Sequence, residues 1–373
     1  MKKNPIPALL PRPRLRFRLS ALLVLGAILF FCPMPAGAEI SFGTQSYPDP
    51  ALNPAPSAAA IKLVKKAIRR LARDRKLANH PIRRFRGRNN AQARIIFDNP
   101  GAANGAKTIN HNEIHIRSDG DYAYYLRNLV HEFIHAAIAD KYGDTLNYTF
   151  LPPADYAFFN LMEEAYANSI TAWLHITFPE MPSDREIRRW GSQHNLTGIA
   201  DAMRNDYLAR NTGNEKMICD KVAADIFNMF MTDNGTYTLI EIPRNMAIAY
   251  GMRNTSIIPE YSAFRDRSDA LVRHAWNYLA SMMPFQLPPH MNYDYYRGMF
   301  NSWLTLWAVH ARNREDTILY WVNQGAARAA LAAEGGNGKD FDYIPREDEE
   351  RLNRVMKEID PSFTPVNTSQ SRK

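Results

Sequence analysis

DYAYYLRNLVHEFIHAAIADKYG, residues 121–143, is the stretch on which the fold turns. Leu126, Leu129, Val130, Phe133, Ile134, Ala137 and Ile138 recur at three- and four-residue spacing, the period of one helix face. The spacing predicts a helix over 121–141, with Gly143 as its stop. Inside it stands His131-Glu132-Phe133-Ile134-His135. Histidines at i and i+4 lie one turn apart on the same face, so both imidazoles can hold one metal ion. Glu132 projects about 100° round the helix, within reach of a proton on a water at that ion.

Upstream, Arg94-Ile95-Ile96-Phe97 and Asn112-Glu113-Ile114-His115-Ile116 predict two short strands separated by a Gly/Asn/Pro-rich turn region. The second alternates, with Ile114 and Ile116 on one face and Glu113 and His115 on the other. His111 and His115 are therefore expected at the surface or lining a cleft. Downstream, Pro152-Pro153 precede a helix from about Asp155 to Thr177, ended by Pro179. Its segment Met162-Glu163-Glu164-Ala165-Tyr166-Ala167-Asn168 can supply a carboxylate from a second, packed helix and so complete a three-ligand site. Adjacent residues on a helix diverge by about 100°, so Glu163 and Glu164 cannot both face the metal. A longer motif with Gly at 138 and His at 141 is excluded, because Ile138 and Lys141 stand there.

On these residues the chain resembles the zincin metallopeptidases, in particular the gluzincin branch, whose third ligand is Glu. The resemblance covers about residues 94–177. It implies a Zn2+ ion on His131, His135 and Glu164, and peptide-bond hydrolysis by an activated water with Glu132 as general base. In that branch the ligand begins a Glu-x-x-Ala-(Asn/Asp) pattern. Glu164, Ala167 and Asn168 match it, while Glu163, Tyr166 and Ala167 do not. Asn168 would then hold His131 through its Nδ1–H. The branch often uses a Tyr or His to stabilise the oxyanion, which makes Tyr142, Tyr148, Tyr156 and Tyr166 candidates.

The fold expected is α+β and mainly helical: a zincin-like core with a small sheet and two metal-bearing helices, then a helical C-terminal region. One strand should run along the cleft, where an extended peptide or protein substrate, cell-envelope peptides included, can pair by β-addition. The alternative, from another class, is a zincin-like cell-envelope binding protein without peptidase activity. An intact Glu132 speaks against it, since a purely structural site has no use for a carboxylate beside the ligands.

The rest of the chain sets the boundaries. At 46% hydrophobic and 23% charged residues, wholesale disorder is excluded. Residues 1–38 hold six positive charges and no acid, then the apolar run Leu19 to Phe31, then Ala36-Gly37-Ala38, and read as a cleavable signal peptide. The thirteen residues of that run reach roughly 20 Å, short of the ~30 Å hydrocarbon core. The mature chain would be periplasmic or secreted, with 373 − 38 = 335 residues. Residues 39–56 read as an irregular arm, 57–180 as the metallopeptidase core, 181–360 as a helical region packed on it, and 361–373 as a flexible tail.

Within the core, a helix is expected over 57–79, and within the C-terminal region over 184–193, 198–211, 214–231, 268–283, 293–312, 316–334 and 347–359. A hairpin is expected over 237–251. Cys219, alone after cleavage, reads as a small buried apolar residue. Of the net +8, residues 62–94 carry thirteen basic residues and one acid, a net +12, while residues 95–373 carry −8. A basic stretch of this kind fits a solvated helix face or contact with anionic envelope components. Nucleic acid is not expected as a partner, because no reader motif accompanies the charge.

Overall fold

The structure is a computed structural model. It describes residues 41–44, 57–83, 94–98, 106–110, 113–143, 151–178, 196–210, 213–232, 266–311 and 346–366. The chain divides into two compact units, Met1–Gly37 and Ala38–Lys373, and every described residue belongs to the second. The signal segment, the helices expected over 184–193 and 316–334, the hairpin over 237–251, His111 and Tyr148 all lie outside the described residues.

The second unit is mainly helical with one small sheet. Strands β1 (Ser41–Thr44), β2 (Arg94–Asp98), β3 (Ala106–Asn110) and β4 (Glu113–Arg117) are ordered β1-β2-β4-β3. β1 and β4 flank β2 in parallel, with Ile95 opposite Ile114 and Phe97 opposite Ile116. β3 runs antiparallel to β4 at the sheet edge, with an irregularity between Thr108 and Asn110. Two strands were not expected. β1 falls in the arm read as irregular, and β3 in the turn region. Both are short edge strands held by backbone pairing, so neither needs the apolar alternation that marks a strand in sequence. His115 also departs from expectation. β4 is an inner strand, and His115 is buried beside Ile114 and Ile116 rather than exposed.

The helices are α1 (Ala58–Arg73), α2 (Tyr122–Tyr142), α3 (Pro153–Thr177), α4 (Leu196–Ala209), α5 (Glu215–Thr232), α6 (Ser268–Met282), α7 (Tyr293–Ala311) and α8 (Arg346–Ile359). Ser57 caps α1 by accepting from the Ala60 N–H at 3.1 Å. α1 stops six residues earlier than expected. Asp74 leaves the helical conformation, and its carboxylate accepts the Lys76 N–H at 2.9 Å, opening a short 3₁₀ turn over Arg75–Leu77. Ala60, Val64, Ala67, Ile68 and Leu71 bury one face of α1, which packs on α2.

α2 and α3 are buried nearly all round, as befits helices at the centre of the molecule. α2 lies between the sheet, α1 and α3; α3 packs in turn on α4, α5 and α6. Its entry is fixed by Asp155, in the first turn, which accepts from Ser268 Oγ at 2.5 Å and from the Arg297 guanidinium. Further along, the Tyr166 ring meets Phe227 at 4.7 Å and Trp276 at 5.5 Å between centroids, tilted and edge-on. Cys219 is a buried free cysteine, as expected, and burial raises its thiol pKa. Among the described residues, no helix is long and apolar enough to cross a membrane.

Two features set the position of α2. Its N-terminus is tied to β4, since the Tyr124 hydroxyl accepts the Arg117 N–H at 3.2 Å and the Tyr125 hydroxyl donates to the Arg117 carbonyl at 3.1 Å. Gly120 sits under that junction, where an added Cβ would lie 2.2 Å from Tyr124 Cδ1. Gly120→Ala is therefore expected to destabilise the fold by about 1–3 kcal/mol, read as a lower urea midpoint with unchanged slope. An unchanged midpoint would mean that Tyr124 moves aside freely.

His80 is the second feature. It is fully buried and bonds the Val130 carbonyl through Nε2 at 3.0 Å, while Nδ1 accepts the Ile82 N–H at 3.3 Å. Nδ1 must therefore be unprotonated, and burial pushes the imidazole pKa down to about 3. The unfolded chain takes up a proton near 6.5, so the stabilising contribution is complete above about pH 6.5 and is lost as pH falls toward about 3. Between pH 6.5 and 5 the wild type should lose about 1.1 kcal/mol per pH unit more than His80→Gln, which keeps a donor but does not titrate. Parallel urea midpoints for the two proteins across that range would contradict a neutral, buried His80.

Candidate metal centre

His131 and His135 face α3 one turn apart, their ring centroids 4.9 Å from each other. Glu164 answers from α3. Its Oε2 lies 3.6 Å from His131 Nε2 and its Oε1 lies 3.6 Å from His135 Nε2. One ligand atom from each of the three residues falls within 4.8 Å of the other two. A tetrahedral ion with bonds of about 2.05 Å separates its ligand atoms by roughly 3.4 Å, so these three donors are near enough to close on one metal ion. The side chains are 17–30% exposed, which leaves the group open to solvent on one side.

Glu163 meets the other nitrogen of His135. It is nearly buried, and its Oε1 lies 2.9 Å from His135 Nδ1. The two carboxylates thus take the two nitrogens of one imidazole: Glu163 the outer one, Glu164 the one facing the centre. An imidazole has a second nitrogen, and a residue 100° round the neighbouring helix is placed to meet it. The adjacent glutamates carry that signal in the sequence. Burial by itself would lower the His135 pKa. Glu163, Glu164 and Glu132 outweigh it and push the imidazole up to about 10. In the metal-free site His135 carries a proton that an arriving ion must displace.

Asn168 corrects an expectation. Its amide does not hold His131; Nδ2 donates to the Glu164 carbonyl at 2.8 Å and to Glu164 Oε2 at 3.1 Å. On one helix the residue four positions on lies over the preceding turn, so Asn168 reaches Glu164 before it can reach α2. It steadies the ligand carboxylate instead.

Glu132 is buried, at 4% exposure, between the two histidines in sequence and close enough to act electrostatically on His135. Of the tyrosine candidates, Tyr142 binds His274 Nδ1 through its hydroxyl at 2.8 Å. Tyr166 points into the aromatic core two residues beyond Glu164, and its buried hydroxyl has no hydrogen-bond partner among the described residues. Burial raises both phenol pKa values. Tyr156 is half-buried on the exposed side of the first turns of α3. No protein-family model, no curated protein and no solved structure matches the chain.

Proposed function

We propose that the protein is an exported zinc metallopeptidase built on a zincin-like core. The reading rests on one observation above the others: Glu164, from a second helix, faces Nε2 of both His131 and His135 at 3.6 Å, with Glu132 buried alongside. A zinc ion held by these three residues would acidify a water and polarise a peptide carbonyl. His135 keeps Nε2 toward the centre because Glu163 holds the proton on Nδ1. Asn168 fixes the rotamer of Glu164. Glu132 accepts the proton of the attacking water and delivers it to the leaving amine. β3, at the sheet edge and against α2, is the strand along which an extended peptide or protein substrate would pair. Export rests on the leader-like residues 1–38.

Metal analysis of the purified chain, together with digestion of a diverse peptide library, tests the proposal. Zinc near one per chain is expected, with cleavage that a chelator stops and added zinc restores. Zinc without cleavage would favour a metal-stabilised envelope binding protein. Absence of bound metal would overturn both.

A further inference from the structure

We infer that the solvent face of α1 is a docking surface for an anionic phospholipid bilayer. The inference stands on charge placement and is independent of the metal centre.

α1 buries a narrow stripe and presents the opposite side to water. Lys62, Lys65, Lys66, Arg69 and Arg73 are all exposed there, and Arg75 and Lys76 extend the row through the 3₁₀ turn. On a helical wheel the five α1 residues fall within an arc of about 100°, opposite Val64 and Leu71. On α1 the row runs from Lys62 to Arg73, about 17 Å at 1.5 Å per residue. Asp74 is the one acid between residues 57 and 83, and it is taken by Arg70 at 2.7 Å. Among the described residues, no carboxylate pairs with Lys62, Arg69, Arg73 or Arg75. The Arg69 Nε–H turns back to the Lys65 carbonyl, and Lys66 lies over the Tyr122 ring, 4.3 Å from its centroid.

A helix that merely needed solubility would interleave acids with its bases at i, i+4, as α5 does with Lys216–Asp220 and Lys221–Asp225. α1 has no such pair along its exposed arc. Like charges this close repel one another, a cost that a counter-surface of opposite sign would relieve. The chain around it sharpens the contrast, since residues 95–373 carry a net −8. Such a distribution orients the whole molecule, with α1 turned toward a negative plane.

The chemistry favours a bilayer over an anionic polymer. The row lies along one solvent-facing flank of a single helix, which suits a plane rather than a wrapped strand. It has no exposed aromatic ring on which bases could stack, a feature that single-stranded nucleic acid binders use. Among the described residues, the exposed large apolar ones, Leu208, Met217 and Tyr295, lie on other helices, so the contact inferred is with head groups and without insertion.

The test is co-sedimentation of the full chain with vesicles. One set contains about a third phosphatidylglycerol in phosphatidylcholine, the other phosphatidylcholine alone. The charge-reversed triple variant Lys62→Glu, Arg69→Glu, Arg73→Glu is compared with wild type at low and high salt. All three residues are exposed, and circular dichroism checks that the variant folds; the milder Lys62→Gln, Arg69→Gln, Arg73→Gln serves if it does not. Wild type is expected to bind the anionic vesicles at least about tenfold more tightly than the variant, and to lose that advantage at high salt. Any binding through the apolar run at 19–31 is common to both proteins and survives salt. Equal binding by wild type and variant, or equal binding to neutral vesicles, would overturn the inference. So would a stronger, equally charge-dependent affinity for duplex DNA or inorganic polyphosphate.

Discussion

Glu132→Gln is expected to leave zinc near one per chain while lowering peptide cleavage by at least about a hundredfold. The substitution is nearly isosteric, and Glu132 is not one of the three residues whose ligand atoms converge. It does sit in the buried interior of α2, at 4% exposure, so a neutral amide is no burden to the fold. What disappears is the carboxylate proposed to take the proton from water, a contribution of typically about 10²–10⁴ in rate. Metal content and rate must be measured on the same preparation, because only the pair of readings separates loss of the base from loss of the metal. A variant that cleaves as fast as wild type would remove Glu132 from the mechanism. A variant that has lost its zinc would show that Glu132 supports the site structurally, and the rate would then say nothing about the base.

The parts of the fold legible in the sequence are those in which one chain segment states its own period. α2 could be read from its three- and four-residue apolar spacing, and α3 from the Pro152-Pro153 start; both end within two residues of expectation. The His-Glu-x-x-His spacing carried the two histidines, because i and i+4 on a helix fix their relation before any tertiary contact forms. What was not legible depends on pairing between segments. β1 and β3 are strands because β2 and β4 offer them backbone partners, and nothing in Ser41–Thr44 or Ala106–Asn110 announces it. His115 alternates with two isoleucines, which in a sheet with one wet face would expose it. Its strand is internal, and both faces are covered. The end of α1 was misplaced because Asp74 competes with the helix for a backbone N–H. Around the centre, the sequence placed each residue on its helix but not its partner. Glu163 and Asn168 each bind a group that only the packing of α2 on α3, or the rotamer of Glu164, selects.

That division of labour gives the last expected result, a ranking of metal affinities. Glu164→Ala removes the one oxygen donor of the proposed set and should cost the most, leaving two histidines that bind zinc weakly and exchange it quickly. Glu163→Ala keeps all three ligands but frees the His135 ring and removes the acceptor of its Nδ1–H. A loss of about 10–100-fold is expected, which is typical for partners that orient a ligand without touching the metal. Glu163→Gln should recover part of it, since an amide oxygen still accepts the Nδ1–H bond but no longer carries the charge. Asn168→Ala should cost least, because Glu164 keeps both oxygens and loses only a tether. Competition of each variant with a chromogenic chelator reads the order directly, and circular dichroism shows whether α2 and α3 are still formed. If Glu163→Ala releases more zinc than Glu164→Ala, the ligand is Glu163, and the two 3.6 Å approaches of Glu164 are only ion pairs across the helix interface. If all four variants hold zinc as the wild type does, the ion binds elsewhere and the metallopeptidase reading falls with it.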